Sequence, residues 1–355
     1  MSGKFLVTGG AGFIGSNLVN SLLSDGCLVT ILDSFARSGT QNNLAWLRSQ
    51  HGNGQFELYQ GDVRDFVTVQ SAVKDVDVIY HLAGQVAVTS SVYDPRLDFE
   101  INSLGTLNVL EAARLSERKP IVVFTSTNKV YGGMESVGTI ELESRYTYRD
   151  LPHGVSESQP LDFHSPYGCS KGTADQYVRD YARIYGLRTV VFRMSCIYGP
   201  RQFGNEDQGW LAHFMIAAET EKPITIYGNG KQVRDVLFID DLVRAFRLAV
   251  EKIGVTAGRV YNIGGGPSNT ISVWKEFGTL LSEFRGAEPP VSFQDWRPGD
   301  QPCYISDIRK AKLHMGWQPQ VLRDVGIRRL WEWVWSNKEL FSAPSARVGA
   351  AQVAA

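Results

Sequence analysis

Short apolar runs alternate with longer amphipathic stretches through the first half of this 355-residue chain. The apolar runs predict buried parallel strands, because strands covered on both faces lack the polar–apolar alternation of half-exposed ones. Helical periodicity lies between the runs, as in the stretch from Ile101 to Leu115. The predicted strands are Phe5–Thr8, Val29–Leu32, Phe56–Tyr59, Val78–Leu82, Ile121–Thr125 and Thr189–Phe192.

The repeated strand–helix units predict right-handed crossovers, and therefore an α/β fold with a Rossmann-type, doubly wound parallel sheet. After Arg193 the pattern changes to shorter elements broken by Gly and Pro. We therefore predict a dinucleotide-binding domain over residues 1–193, a smaller C-terminal substrate-binding domain over 194–340 and a flexible tail over 341–355.

Two apolar runs beyond that boundary complicate the division. Val236–Ile239 and Val260–Ile263 are both apolar enough to be buried strands. Since they resemble the runs of the first half, we expect residues 235–263 to return to the sheet of the first domain.

Composition limits the possible partners. The formal net charge of −1 supplies no basic field for nucleic acid or an anionic membrane. No apolar run approaches the ~20 residues that span a bilayer, and the N-terminus does not read as a signal peptide. The cysteines and histidines show no metal-ligand spacing, so no metal is expected. We expect a cytoplasmic protein that binds neither nucleic acid nor membrane.

Three glycines at three-residue spacing follow the first strand. Gly9 permits a tight turn, Gly12 lets the backbone approach a diphosphate, and Gly15 lets the next helix pack close to the strand. The N-terminus of that helix presents N–H groups and the positive end of its dipole to phosphate. The predicted dinucleotide contacts here are Gly9, Gly12, Phe13, Ile14 and Gly15.

An acidic residue ends the second predicted strand. Asp33 follows Gly15 by 18 residues, at the distance expected for a carboxylate that binds the adenosine ribose. Such a carboxylate accepts hydrogen bonds from both ribose hydroxyls and repels a 2′-phosphate. The sequence therefore favours NAD over NADP as the cofactor.

Three residues are candidate catalytic groups. Tyr167 and Lys171 are four residues apart on a predicted helix and so share a face. A lysine ammonium and a positive nicotinamide ring would lower the phenol's pKa from about 10. A tyrosine tuned in this way can take a hydroxyl proton while hydride leaves the same carbon. Thr127, just past a predicted strand, can orient the substrate's hydroxyl.

These motifs resemble the extended short-chain dehydrogenases/reductases of the nucleotide-sugar-modifying branch, over about residues 4–335. The resemblance implies that Asp62 and Val63 flank the adenine, that Ala83 and Gly84 lie along the cofactor, and that Lys171 also bonds the nicotinamide ribose. It is carried by Thr8 to Gly15, Gly61-Asp62-Val63, His81-Leu82-Ala83-Gly84, Val130-Tyr131-Gly132, Tyr167 with Lys171, and Arg234-Asp235-Val236.

One position separates two reactions of this branch. Its sugar 4,6-dehydratases carry Asp-Glu where this chain has Asn128-Lys129. Dehydration needs one group to protonate the leaving hydroxyl and another to remove the proton beside the transient ketone. Because Asn128 and Lys129 cannot fill those roles in the same way, elimination is disfavoured.

Longer segments resemble the CDP-tyvelose (CDP-paratose) 2-epimerases. That resemblance implies transient oxidation of sugar carbon 2 to a ketone, rotation of the sugar and return of hydride to the other face, with no net redox. A 4-epimerase, a 2-epimerase of another GDP-, UDP- or CDP-hexose and a non-catalytic NAD-binding regulator remain as alternatives. The segments are 85–91, 141–158, 161–172, 201–203, 207–210 and 228–235.

A nucleotide-sugar substrate needs cations for its diphosphate and polar groups for its sugar. The family also implies a homodimer or homotetramer, with the helices Ile101–Leu115 and Tyr167–Tyr185 as the candidate interface. The predicted substrate-binding residues are Gln85, Asn128, Lys129 and His164 around the sugar, and Arg201, Arg234 and Arg297 around the phosphates.

Overall fold

The computed structural model describes residues 3–297 and 300–342. The strands are β1 Lys4–Thr8, β2 Leu28–Asp33, β3 Phe56–Gln60, β4 Val78–His81, β5 Ile121–Thr127, β6 Thr139–Glu141, β7 Tyr146–Tyr148, β8 Thr189–Met194, β9 Cys196–Tyr198, β10 Ile224–Tyr227, β11 Val233–Phe238, β12 Arg259–Ile263, β13 Thr270–Ser272, β14 Val291–Gln294 and β15 Cys303–Tyr304.

The helices alternate with the strands of the first half and then become shorter. They are α1 Phe13–Ser24, α2 Thr40–His51, α3 Phe66–Ala72, α4 Val88–Tyr93, α5 Pro95–Phe99, α6 Gly105–Leu115, α7 Ser165–Tyr185, α8 Trp210–Glu219, α9 Ile239–Glu251, α10 Ile253–Thr256, α11 Phe277–Arg285, α12 Arg309–Met315, α13 Arg323–Ser336 and α14 Glu339–Ser342.

The main sheet has seven parallel strands in the order β12–β8–β5–β4–β1–β2–β3. All its strands except the edge strand β3 are largely buried. In β1, Phe5 and Val7 belong to one apolar cluster and Leu6 between them to another. This double burial explains the unbroken apolar runs, and it confirms the predicted doubly wound fold. The strand order reverses between β1 and β4, so the ligand crevice of such a sheet lies beyond Thr8 and His81.

The second half forms smaller sheets beside the main one. Strand β11 pairs with β9, β13 and β15, β10 pairs with β14, and β6 pairs with β7. The segment 235–263 therefore returns to the main sheet only through β12, whereas the apolar run in β11 belongs to another sheet. A fully buried run predicts a strand but does not say which neighbours it pairs with.

Two other boundaries differ from the sequence-based expectation. The helix expected from Ile101 begins as a π-helical turn, Glu100–Leu104, and continues as α6. Of the predicted tail 341–355, residues 343–355 lie outside the described residues. Its first two residues end α14, and the centre of the Phe341 ring lies 5.5 Å from that of the Phe203 ring. No helix within 3–297 or 300–342 is long and apolar enough to cross a membrane.

Candidate active site

The glycine loop joins β1 to α1 in a tight turn. Gly9 has φ +69°, and a Cβ on Gly15 would lie 2.1 Å from the Gly9 carbonyl oxygen. Gly12 begins α1, and a Cβ there would meet only that same oxygen, at 3.1 Å. The space in front of Gly12 is thus open, beside first-turn N–H groups at Phe13 and Ile14 that have no intrahelical acceptor. This cradle fits a diphosphate.

Asp33 closes the same end of the sheet. Its carboxylate accepts the Ala11 N–H at 2.9 Å and the Phe35 N–H at 2.8 Å, which ties it to the glycine loop. Burial raises the pKa of Asp33, and the two amides oppose that effect. A carboxylate has further lone pairs, so ribose hydroxyls can still donate to it.

A chain of hydrogen bonds that the sequence did not reveal orders the loop after β4. The N–H groups of Leu82 and Ala83 both donate to Thr8 Oγ1 at 3.2 Å, and that oxygen lies 2.8 Å from His81 Nδ1. Burial lowers the pKa of His81 to about 3, so the ring is neutral. Since Thr8 accepts twice, its own proton goes to Nδ1, and Nε2 donates to Thr106 Oγ1 at 3.0 Å.

Asp62 and Val63 lie past β3. Asp62 accepts the backbone N–H of Arg64 at 2.9 Å and its guanidinium at 2.8 Å. Val63 is buried, and its carbonyl accepts from the Asn108 side chain at 2.9 Å. Both residues are held in place, and their contact with adenine stays a prediction.

The three candidate catalytic residues lie near the loop that follows β4. Thr127 ends β5, and its hydroxyl donates to Asn128 Oδ1 at 3.4 Å. The same hydroxyl lies near enough to the Tyr167 phenol to lower the pKa of that group. Tyr167 and Lys171 occupy the first two turns of α7. Lys171 Nζ lies 4.2 Å from the centre of the Phe124 ring and 3.8 Å from where a Cβ on Gly84 would be.

Burial governs the titration of this group. It raises the pKa of Tyr167 to about 12, although the nearby Thr127 hydroxyl opposes the shift. It lowers the pKa of Lys171 to about 7, against the charges of Asp98 and Asp175. Among the protein's own groups, desolvation of the phenolate exceeds the charge effects. The lowering of the phenol's pKa by lysine and the nicotinamide ring together stays a prediction.

A second group of buried charges surrounds Asp300. Arg234 donates to its carboxylate at 2.6 Å, and Lys129 Nζ lies 3.8 Å from it. Burial lowers the pKa of Lys129. Although burial also opposes ionisation of Asp300, the two cations hold its pKa below the usual value. Two cations to one anion leave this cluster with a positive charge, next to buried Asn128 in the sequence.

Arg201 is placed elsewhere. Its guanidinium lies 4.5 Å from the Trp46 ring centre and 5.6 Å from that of Trp333. Its carbonyl accepts from Asn43, whose side chain also reaches the glycine loop at Ala11. These contacts fasten the loop at 199–203 onto α2 and give the guanidinium a packing role on aromatic faces. The phosphate contact of Arg201 stays a prediction.

Arg297 and His164 also have protein partners. Arg297 stacks at 3.9 Å on the Tyr227 ring and pairs with Glu206 at 3.6 Å. His164 Nε2 lies 3.0 Å from the carboxylate of Asp162, and its side chain is largely exposed. None of these contacts joins Arg297 or His164 to the cluster of Arg234, Lys129 and Asp300.

The Gln85 side chain forms hydrogen bonds within its own turn. Its Nε2 donates to the Ala87 carbonyl at 2.7 Å, and its backbone N–H donates to Asn102 Oδ1 at 3.0 Å. Asn102 comes from the π-helical turn, a local distortion that often marks functional sites. No periodicity in the sequence identified Asn102, because one inserted residue in a helix leaves little trace in an apolar pattern.

Comparisons with known proteins show which family the chain belongs to. A family model described as GDP-mannose 4,6 dehydratase matches residues 6–330. The CDP-paratose 2-epimerase of Salmonella typhi is 44% identical over 93% of this chain and 98% of its own. The solved UDP-glucose 4-epimerase of Thermotoga maritima with UDP-glucose is 30% identical over 94% and 99% of the two chains, with a TM-score of 0.80. That of Thermus thermophilus, in complex with NAD, is 32% identical over 93% and 98%, with a TM-score of 0.77. The chain therefore belongs to the GDP-mannose 4,6 dehydratase family of extended short-chain dehydrogenases/reductases.

Proposed function

We propose that this chain is an NAD-dependent nucleotide-sugar epimerase that inverts carbon 2 of a CDP-deoxyhexose of the CDP-paratose/CDP-tyvelose type. The observation that carries the proposal is the buried Tyr167 phenol near the Thr127 hydroxyl, with Lys171 one helical turn away at the Gly84 turn. The 44% identity to a CDP-paratose 2-epimerase supports the choice of carbon and base.

The residues present fit NAD. The open backbone at Gly12 suits its diphosphate, and the carboxylate of Asp33 suits its adenosine ribose. When bound, NAD would supply the acceptor and donor of hydride at the sugar carbon. Lys171, at the Gly84 turn, is the residue that we assign to the nicotinamide ribose.

The protein's own part is to move one proton and to hold the sugar. Tyr167 takes the proton of the sugar hydroxyl as carbon 2 becomes a ketone, and returns it after the sugar has turned. Thr127 steadies the phenolate and directs the sugar hydroxyl, because its own hydroxyl favours the ionised form of the phenol. Burial excludes water from this exchange, so the ketone is reduced again rather than released.

Asn128 and Lys129 oppose a dehydratase reaction. An amide cannot protonate a leaving hydroxyl, and Lys129 is drawn into the Asp300 cluster. We assign the excess positive charge of that cluster, from Lys129 and Arg234, to the substrate's diphosphate or sugar hydroxyls. The solved 4-epimerases of similar fold keep carbon 4 inversion as the second candidate.

Replacing Tyr167 by Phe tests the proposal. We expect turnover to fall by about 10²- to 10⁴-fold, because the proton acceptor is gone, while bound NAD is retained. Tyr177→Phe, on the exposed face of the same helix, is the matched control and should change neither quantity. Wild-type turnover in Tyr167→Phe would contradict catalysis by this tyrosine.

A further inference from the structure

Behind the catalytic helix lies a carboxylate that the mechanism above does not use. Asp98, on α5, is 1% exposed. One oxygen accepts from the Ser170 hydroxyl, and the other accepts from Asn102 Nδ2 at 3.1 Å. Both partners donate, so the hydrogen-bond pattern is that of an ionised carboxylate. Its partners are a hydroxyl and an amide rather than a cation, which is unusual for a buried acid.

The other buried acid near Lys171 is differently paired. Asp175 is fully buried, and Arg193 donates to its two oxygens, at 2.9 Å each. That bidentate pair neutralises the charge of Asp175 locally. Asp98, unlike Asp175, is not paired with an arginine, so its negative charge acts on Lys171 without a neighbouring cation to offset it.

The groups bonded to Asp98 also fix the surroundings of Lys171. Ser170 precedes the lysine in the chain. The two N–H groups of Asn102 Nδ2 are shared among Asp98, Ser170 Oγ at 3.0 Å and the Gln85 carbonyl at 3.1 Å. A Cβ on Gly84 would lie 3.0 Å from Asn102 Oδ1, the same position that is 3.8 Å from Lys171 Nζ. The carboxylate and the 84–85 turn are thus joined through Asn102, and Lys171 lies against the same turn.

We propose that Asp98 is a positioning residue whose buried carboxylate, held by Ser170 and Asn102, keeps Lys171 charged and aligned with the 84–85 turn. The kinetic test of this proposal rests on the proposed function, whereas the titration of Lys171 followed by NMR does not. A fully buried ammonium loses its hydration, and an anion in the same dry region is what offsets that loss.

The sign of the pH effect follows from the groups that face Lys171. These are Asp98 from α5, Asp175 from its own helix, and neutral His81 from β4. Asp98 raises the pKa of both Lys171 and Tyr167. Removing its charge lowers both, so the two limbs of the pH–rate profile should move together towards lower pH.

Asp98→Asn is the test, in the full-length protein with NAD bound. We expect the alkaline limb of turnover to move down by about one pH unit or more, and the acid limb to move in the same direction. Asp94→Asn is the control: it removes an equal charge from the exposed cap of the same helix, which accepts the Leu97 N–H at 3.0 Å. It should leave both limbs in place. Unmoved limbs in Asp98→Asn, with or without lower turnover, would overturn the proposal.

A second readout does not need turnover. The Cε shift of Lys171 in ¹³C-lysine-labelled protein reports its titration directly, and should show a lower midpoint in Asp98→Asn. Asp98→Glu should restore the midpoint. If Asp98→Asn does not fold, Ser170→Ala takes its place: it removes a donor to the carboxylate and should lower the midpoint by less. A midpoint equal to wild type in the folded variant would refute the role of Asp98, even if no sugar were turned over.

Discussion

At the scale of single residues, burial decides what each charged or titratable side chain can do. Tyr167 and Lys171 are both displaced from their usual pKa by desolvation, in opposite directions, and towards their neutral forms. The identity and spacing of these residues are legible in the sequence, but the direction of the phenol's shift is not, because it depends on how much water the fold excludes.

The arginines of the second half, Arg201 and Arg234, also have roles that depend on their surroundings in the fold. Arg201→Ala should leave the KM for the nucleotide sugar unchanged, because its guanidinium rests on Trp46 and Trp333. It should lower stability by about 0.5–2 kcal/mol through lost cation–π contact. Arg234→Ala should raise KM by about 10- to 100-fold, as expected for a lost charged hydrogen bond.

Steady-state kinetics and thermal unfolding on the two variants measure both effects. Each variant serves as the other's control, since both remove one arginine from the second half of the chain. A large KM increase in Arg201→Ala with an unchanged KM in Arg234→Ala would reverse the assignment. From the sequence alone, Arg201 and Arg234 could be judged only by the motifs in which they stand. A motif indicates that an arginine lies in a loop, but not which side chains it contacts.

At the scale of elements, the β1–α1 turn is the part of the site most fully predicted from sequence. Its glycines have separate tasks, which single alanine substitutions should separate. Gly15→Ala places a Cβ 2.1 Å from the Gly9 carbonyl, so we expect about 1–3 kcal/mol of lost stability. Gly12→Ala meets that oxygen only at 3.1 Å, so the fold should tolerate it while NAD affinity falls by about tenfold or more.

Gly254→Ala, in an open position on α10, is the control and should change neither stability nor NAD affinity. Thermal unfolding and NAD titration of the three variants provide the comparison. A Gly12→Ala protein that binds NAD like wild type would exclude the diphosphate from this cradle. The π-helical turn at Glu100–Leu104, by contrast, was not predictable, because its irregular hydrogen bonds depend on the partners of Asn102 in other elements.

At the scale of the whole molecule, α6 and α7 leave an apolar surface that the monomer does not cover. Leu115, Tyr177, Ile184 and Tyr185 are between 46% and 66% exposed. The proposed homo-oligomer interface on these two helices would bury them. The parallel sheet itself followed from its apolar runs, whereas the pairing of β11 in a separate sheet did not, since partner choice is a property of the assembled chain.

Ile184→Glu tests that interface. We expect it to reduce the mass in solution, because a charge would be buried without a partner on association. Leu313→Glu, 81% exposed on α12, is the control and should leave the mass unchanged. Light scattering after size-exclusion chromatography measures both. A wild-type monomer, or an assembly untouched by Ile184→Glu, would contradict the placement of the interface.

The most direct test of the central claim is to incubate the purified protein, without added cofactor, with CDP-, GDP- and UDP-hexoses in deuterated water and to follow the sugars by NMR. The account predicts inversion at carbon 2 of a CDP-deoxyhexose with no deuterium at carbon, because the hydride removed is the hydride returned. Inversion at carbon 4 would transfer the assignment to the second candidate. Deuterium at the inverted carbon would contradict hydride return, and the absence of any conversion would contradict catalysis altogether.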